Sequence, residues 1–305
     1  MKKFIKQGLF FGLIVFSWLS ALQLVVDYSV KGKNPRGHDN FELIKNTNVD
    51  CLFLGNSRCL TGIDPHLFDS LTDLQSLNLG ANGQSNYLFY TLRLKHYLKY
   101  NSPPKFCFVL SEPYSSTEKN KNYFQDYARY CFNWFRSDKD YAELLKYYEV
   151  DFFEKNIPSF SVLKYRVLWD LIFNNNAREW KKYGYDHYET TNFCNEDPNS
   201  FPTSLWRKDD KQYIIQMTQF DSLCKSNKIR LVNFQLPLTS SENFKHLFYK
   251  NKQLSQNLFI DFIDLQSDSL IKCEYFADRY HPNYVGAQIF TSIFAKQFKT
   301  SLLRK

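Results

Sequence analysis

Apolar positions along this chain follow two regimes. From Gln7 to Val26 they run without a charged residue. A helix of about 20 residues rises about 30 Å, which matches the hydrocarbon core of a bilayer. The segment is apolar all round, whereas a helix packed on a soluble core shows a single apolar stripe. Residues 1–30 therefore read as a membrane anchor. Lys2, Lys3 and Lys6 precede the apolar run. Under the positive-inside rule they hold the N-terminus in the cytoplasm and direct the rest of the chain outward. The competing reading is a cleaved signal peptide, but no small-x-small cleavage site follows the run.

A polar stretch over residues 31–45, with Lys, Gly and Pro, reads as a linker. Beyond it the pattern changes to short apolar runs, the first four closed by Gly or Pro. These predict buried strands over residues 49–54, 74–79, 105–110, 229–236 and 259–265. Helical spacing marks residues 87–100, 211–225 and 284–298. Between Ser115 and about Leu205 this rhythm breaks. The segment is rich in Tyr, Phe, Trp, Asn and Lys, with helical pieces at 141–148 and 163–173. It predicts a large, mostly helical insertion at about 115–205 within a domain covering 46–305. Strand and helix alternate on both sides of it, the signature of an α/β fold with a parallel sheet. Such sheets bind ligands at the carboxyl ends of their strands.

Composition narrows the function classes. The hydrophobic fraction of 44% and charged fraction of 23% fit a folded domain rather than a disordered one. Net charge is +8, but the basic residues are scattered and no nucleic-acid motif accompanies them, so no nucleic-acid partner is expected. Seven cysteines include no CxxC pair and no zinc-ligand spacing, so neither a metal nor another cofactor is expected. Cys51 and Cys107 lie in apolar runs and read as buried residues. Spacing assigns no disulfide. Aromatic residues make up 18% of the chain. Rings with a flat apolar face and a polar edge suit stacking on sugars. Tyr114, Tyr123, Tyr127, Trp134, Tyr165 and Trp169 are therefore candidates for one wall of a carbohydrate cleft. The alternative is that they glue helices to the sheet.

Three short motifs carry candidate chemistry. Gly55-Asn56-Ser57-Arg58 follows the first strand, and a Gly-x-Ser turn into a helix presents the hydroxyl at the strand tip. Cys59 stands where the second glycine of a full GxSxG elbow would be. Asp278-Arg279-Tyr280-His281 leads into the last helix. Its carboxylate can accept from one imidazole nitrogen while the other takes a proton from Ser57. The plainer alternative is a turn that caps that helix. Asn78-Leu79-Gly80-Ala81-Asn82-Gly83-Gln84-Ser85 follows the second strand. There the Gly80 N–H and the Asn82 side chain are candidate oxyanion donors. The alternative is a glycine-rich loop with Ser85 as a helix N-cap.

In order and spacing these blocks resemble the SGNH hydrolase superfamily, also called GDSL-like. The resemblance covers nearly everything after residue 45 except the insertion. It implies a three-layer, flavodoxin-like fold with Ser57 as nucleophile, His281 as base, Asp278 as its orienter and Gly80 in the oxyanion hole. Asn82 and Arg58 complete the expected oxyanion- and substrate-binding set. One block departs: the family's Gly-x-Asn-Asp after the third strand is replaced by Ser111-Glu112-Pro113-Tyr114. A glutamate facing the cleft there would oppose an oxyanion unless it held a partner. The Gly-x-Ser-Arg form with an N-terminal anchor looks most like the branch that modifies cell-surface polymers, which includes alginate O-acetylation and teichoic-acid D-alanylation proteins. That resemblance implies an esterase or O-acyltransferase acting on acyl esters, such as acetyl esters, of a carbohydrate polymer outside the cytoplasmic membrane. It also implies a membrane-bound O-acyltransferase as partner. The alternative is a catalytically silent scaffold or glycan-binding relative, which the altered third block favours.

Overall fold

The computed structural model describes residues 1–29, 33–34, 44–81, 86–112, 139, 178–179, 210–238, 245–278 and 280–303. The chain divides into two compact units, Met1–Glu42 with Lys121–Trp180, and Leu43–Asn120 with Lys181–Lys305. In the first, helix α1 runs over Lys2–Ser29. Its stretch Lys2–Val25 contains an 18-residue window of mean hydropathy 2.0 that is 6% buried, long and apolar enough for a membrane span or a signal sequence. Lys33–Asn34, within the stretch read as a linker, pairs antiparallel with Arg178–Glu179, within the expected insertion. Apart from residue 139, the remainder of the insertion lies outside the described residues, as do Tyr114, Tyr123, Tyr127, Trp134, Tyr165 and Trp169, the candidates for the cleft wall.

The second unit is built on five strands: β1 (Cys51–Leu54), β2 (Ser76–Asn78), β3 (Phe106–Leu110), β4 (Arg230–Gln235) and β5 (Asp261–Asp264). Each falls inside a run predicted from the sequence. Their spatial order is β2-β1-β3-β4-β5, and every pairing is parallel. This is the doubly wound α/β order in which the crevice opens between the carboxyl ends of the first and third strands, where the winding reverses.

Helices cover both faces. Helices α2 (Ser57–Gly62), α3 (Pro65–Thr72) and α7 (Tyr284–Phe298) pack on one, and α4 (Tyr87–Tyr100), α5 (Asp210–Ser226) and α6 (Lys245–Asn257) on the other. Alternation along each strand decides which residues go where. Phe53, Phe108, Val232 and Phe234 point toward α7, joining Phe68, Phe290, Phe294 and Phe298 in one core. Phe108 stacks on Phe53 at 4.8 Å and meets Phe294 edge-on at 5.1 Å. Asn233, between two of those residues, points the other way and accepts from the Tyr87 hydroxyl of α4 at 2.8 Å. Its amide donates to Ser255 of α6 at 2.9 Å.

Candidate active site

The first strand ends at Leu54; Gly55 follows, and Asn56 caps the short helix after it, its side chain accepting from the Arg58 N–H at 2.9 Å. The cap sets Ser57 at the first position of α2, beside the crevice between β1 and β3. A first-turn N–H has no partner within its own helix, so the Ser57 N–H is free of the α2 ladder. Two glycines make the approach possible. A Cβ on Gly80 would lie 2.4 Å from the Leu60 nitrogen, so only glycine lets the tip of β2 pass against α2. A Cβ on Gly286 would lie 2.0 Å from the Tyr275 carbonyl oxygen, so only glycine lets α7 start against the loop that precedes it.

That loop is tightly bound to itself. Ala277 N–H donates to the His281 carbonyl at 2.9 Å, and Asn283 N–H to the Tyr275 carbonyl at 3.0 Å. Asn283 caps α7 by accepting from Gly286 N–H at 3.0 Å, and its amide donates to the Glu274 carbonyl at 2.8 Å. Within this frame the Asp278 carboxylate accepts the backbone N–H groups of Tyr280 and His281 at 2.7 and 2.9 Å. The same carboxylate lies 2.7 and 3.0 Å from His281 Nδ1. His281 Nε2 is 2.8 Å from Ser57 Oγ, across 224 residues of chain.

Burial works against ionisation of Asp278, but the hydrogen bond and charge of His281, with the two backbone donors, outweigh it. They hold the carboxyl below its ordinary value. An ionised Asp278 places the imidazole proton on Nδ1 and leaves Nε2 to accept from the Ser57 hydroxyl. The serine is half-buried, the His281 side chain 19% exposed and the Asp278 side chain 47% exposed. Reactants can therefore reach the hydroxyl. Cys59, two residues on, is no rival nucleophile: burial, then the charge of Glu112, pushes its thiol far up, and it is wholly enclosed.

The remaining expected site residues lie elsewhere. Arg58 does not face a ligand: with 1% of its surface exposed it turns inward under Ser57. Its Nη1 lies 2.8 Å from both oxygens of Glu112, and its other nitrogens donate to the carbonyls of Tyr280, Leu236 and Pro237. A substrate-binding role for Arg58 is thereby replaced by an internal one. A guanidinium so enclosed is stable only where its charge and donors are all matched. Gly80 is likewise not an oxyanion donor here, because its N–H donates to Asn78 Oδ1 at 2.9 Å. Asn78 is wholly buried and also donates to the carbonyls of Cys59 and Ile63, so it staples β2 to α2. Asn82 lies outside the described residues.

Glu112 stands where the third block departs from the family pattern. It holds a partner, and the partner is Arg58, with Asn56 Nδ2 donating to the same carboxylate at 3.3 Å. The signal in the sequence is two opposite charges, each within four residues after a strand that flanks the crevice.

No family model matches the chain, and no curated protein matches it. Solved structures resemble it. A protein described as an acylhydrolase, from Bacteroides fragilis, is 13% identical, with 85% of this chain and 90% of that one covered and a TM-score of 0.41. A GDSL-like lipase from Bacteroides thetaiotaomicron is 11% identical, over 83% and 88%, with a TM-score of 0.40. A catalytic mutant of an acetylxylan esterase from Geobacillus stearothermophilus is 9% identical, over 81% and 92%, also at 0.40. The fold assigned here rests on the strand order and register described above.

Proposed function

We propose that this chain is a serine esterase or O-acyltransferase of the SGNH type, anchored to the cytoplasmic membrane by α1 and acting on acyl esters of an extracytoplasmic carbohydrate polymer. The observation that carries the chemistry is the chain of contacts from Ser57 Oγ through His281 to Asp278, at 2.8 and 2.7 Å. These are the distances at which a base removes a hydroxyl proton and a carboxylate orients the base.

In the proposed reaction His281 Nε2 takes the Ser57 proton as Oγ bonds to the acyl carbon. The carbonyl π electrons move to its oxygen. When the tetrahedral intermediate collapses, the carbon–alkoxide bond breaks and His281 returns the proton to the departing alcohol. The acyl group is left on Ser57. Water attacking that ester, with His281 again as base, completes hydrolysis; a sugar hydroxyl attacking it completes transfer. The Ser57 N–H, which the α2 ladder does not use, is the proposed donor to the oxyanion.

Two observations support the location. Helix α1 meets the length and hydropathy of a bilayer span. Cys273 is disulfide-bonded, and disulfides persist mainly in oxidising compartments outside the cytoplasm. The polymer substrate and a membrane-bound O-acyltransferase partner rest on the resemblance of the Gly-x-Ser-Arg block and anchor to cell-surface modification proteins. The test is a fluorophosphonate probe on the full chain in detergent. The wild type should label at Ser57, and Ser57→Ala should not. Equal labelling of both would remove the proposal. Release of acetate from an acetylated glycan, against its appearance on an added sugar acceptor, then separates hydrolysis from transfer.

A further inference from the structure

We infer that Arg58 and Glu112 are positioning residues that hold Ser57 in register with His281; the inference rests on the hydrolase proposal above. Arg58 directly follows Ser57 in the chain, and Tyr280 directly precedes His281. The bond from Arg58 Nε to the Tyr280 carbonyl, 3.0 Å, therefore ties the two reacting groups together one residue away from each. Guanidinium has five N–H donors in a fixed plane. All five find acceptors: Tyr280 O for Nε, the two Glu112 oxygens for Nη1, and the Leu236 and Pro237 carbonyls for Nη2. One side chain thus joins four segments, namely the start of α2, the end of β3, the exit of β4 and the loop bearing His281.

Glu112 fixes where that plane lies. Its carboxylate is 1% exposed, like the Arg58 side chain, so each charge is matched by the other and by little solvent. Asn56, the cap of α2, donates to the same carboxylate at 3.3 Å, so both neighbours of Ser57 in sequence are held by one group just past the end of β3. Neither Arg58 nor Glu112 touches the reacting atoms. Their effect passes through the backbone on either side of Ser57 and beside His281. Lysine, with three donors on a single nitrogen, cannot reproduce the five contacts.

The experiment uses the full chain in detergent, with p-nitrophenyl acetate as substrate and a fluorophosphonate to count active sites. For Arg58→Lys, kcat per titrated site should fall about 100-fold, the loss expected when a reacting group shifts by about 1 Å. KM should stay within about twofold, because only a transition-state contact is disturbed. The limb of the kcat–pH profile set by the base should flatten, because the serine no longer depends on His281. If Arg58→Lys does not fold, Glu112→Asp is the second test. It keeps the charge pair while shortening one arm by a methylene, and should give the same pattern with a loss of about 10-fold. A folded variant with wild-type kcat per site and an unchanged pH limb would overturn the inference and leave the pair merely structural. Absence of turnover and labelling in the wild type would instead overturn the hydrolase proposal, and this one with it.

Discussion

Two base–carboxylate pairs stand on either side of Ser57, and they are built to different specifications. Arg58 and Glu112 are both 1% exposed, and their contacts use every guanidinium donor. His281 and Asp278 are 19% and 47% exposed, and one imidazole nitrogen is left to meet the serine. An arginine does not release its proton in a protein, so the buried pair cannot relay one. A histidine can, and partial exposure lets reactants reach it. Burial and side-chain chemistry thus divide the labour between two pairs that look alike as letters.

The sharpest way to break this contrast is at the serine. Ser57→Ala should abolish fluorophosphonate labelling and lower ester turnover by roughly a million-fold at most, and no less than about 1,000-fold, while the thermal midpoint stays put. Retained turnover would move the chemistry elsewhere. Asp278→Asn should cost about 10,000-fold in kcat, because an amide no longer holds the imidazole proton on Nδ1. Its stability should change by about 1 kcal/mol or less, as for a partly exposed pair.

The buried pair should behave in the opposite sense. Glu112→Leu leaves the Arg58 charge enclosed without its counterion, and urea unfolding should show a loss of about 3–5 kcal/mol. The double variant Arg58→Met/Glu112→Leu should lose less, since no unpaired charge remains buried. A double variant as unstable as the single one would show that the carbonyl contacts, not the charge balance, dominate.

Removing residues 1–30 should shift the domain from the membrane fraction to the soluble fraction. Unfolding free energy should change by no more than about 1 kcal/mol, since so little of α1 is buried and surface changes are small. Aggregation of the truncated chain would place α1 in the core. The smallest expected effect is on acid stability. The Asp278 carboxyl is held below its ordinary value, so its contribution is complete above pH about 4 and disappears as pH falls through the folded value. The stability gap between wild type and Asp278→Asn should therefore be flat near neutrality and close at low pH. A gap that widened on acidification would contradict the direction of the shift.

Much of this molecule is legible from its letters. The five predicted runs fall on the five strands, and four of them are closed by Gly or Pro, residues that end a strand by turn geometry or a missing donor. The spacing of 87–100, 211–225 and 284–298 matches α4, α5 and α7 to within a residue. The apolar pattern does not mark helices α3 and α6. Asp64 before Pro65 is a helix-start signal, its side chain capping His66 and Leu67, but the helix of eight residues is too short to show a period. In α6 most positions are polar, and the residues that face the sheet, Asn251 and Ser255, are polar too. Leu247, Phe248 and Leu254 are too few among these polar positions to mark a helix on their own.

For the candidate site, the sequence alone determined which residues are able to do the chemistry: a serine after a strand, and a histidine with a carboxylate three residues earlier. Local geometry carries that information, since the Asp278–His281 turn closes through its own backbone. The tertiary structure decided which of them meet. It brought Ser57 to His281, sent Arg58 inward to Glu112, and gave the Gly80 N–H to Asn78. The physical reason is that a charge or a donor takes its role from what surrounds it. Parallel strands that reverse their winding at β1 gather those surroundings from segments more than 200 residues apart.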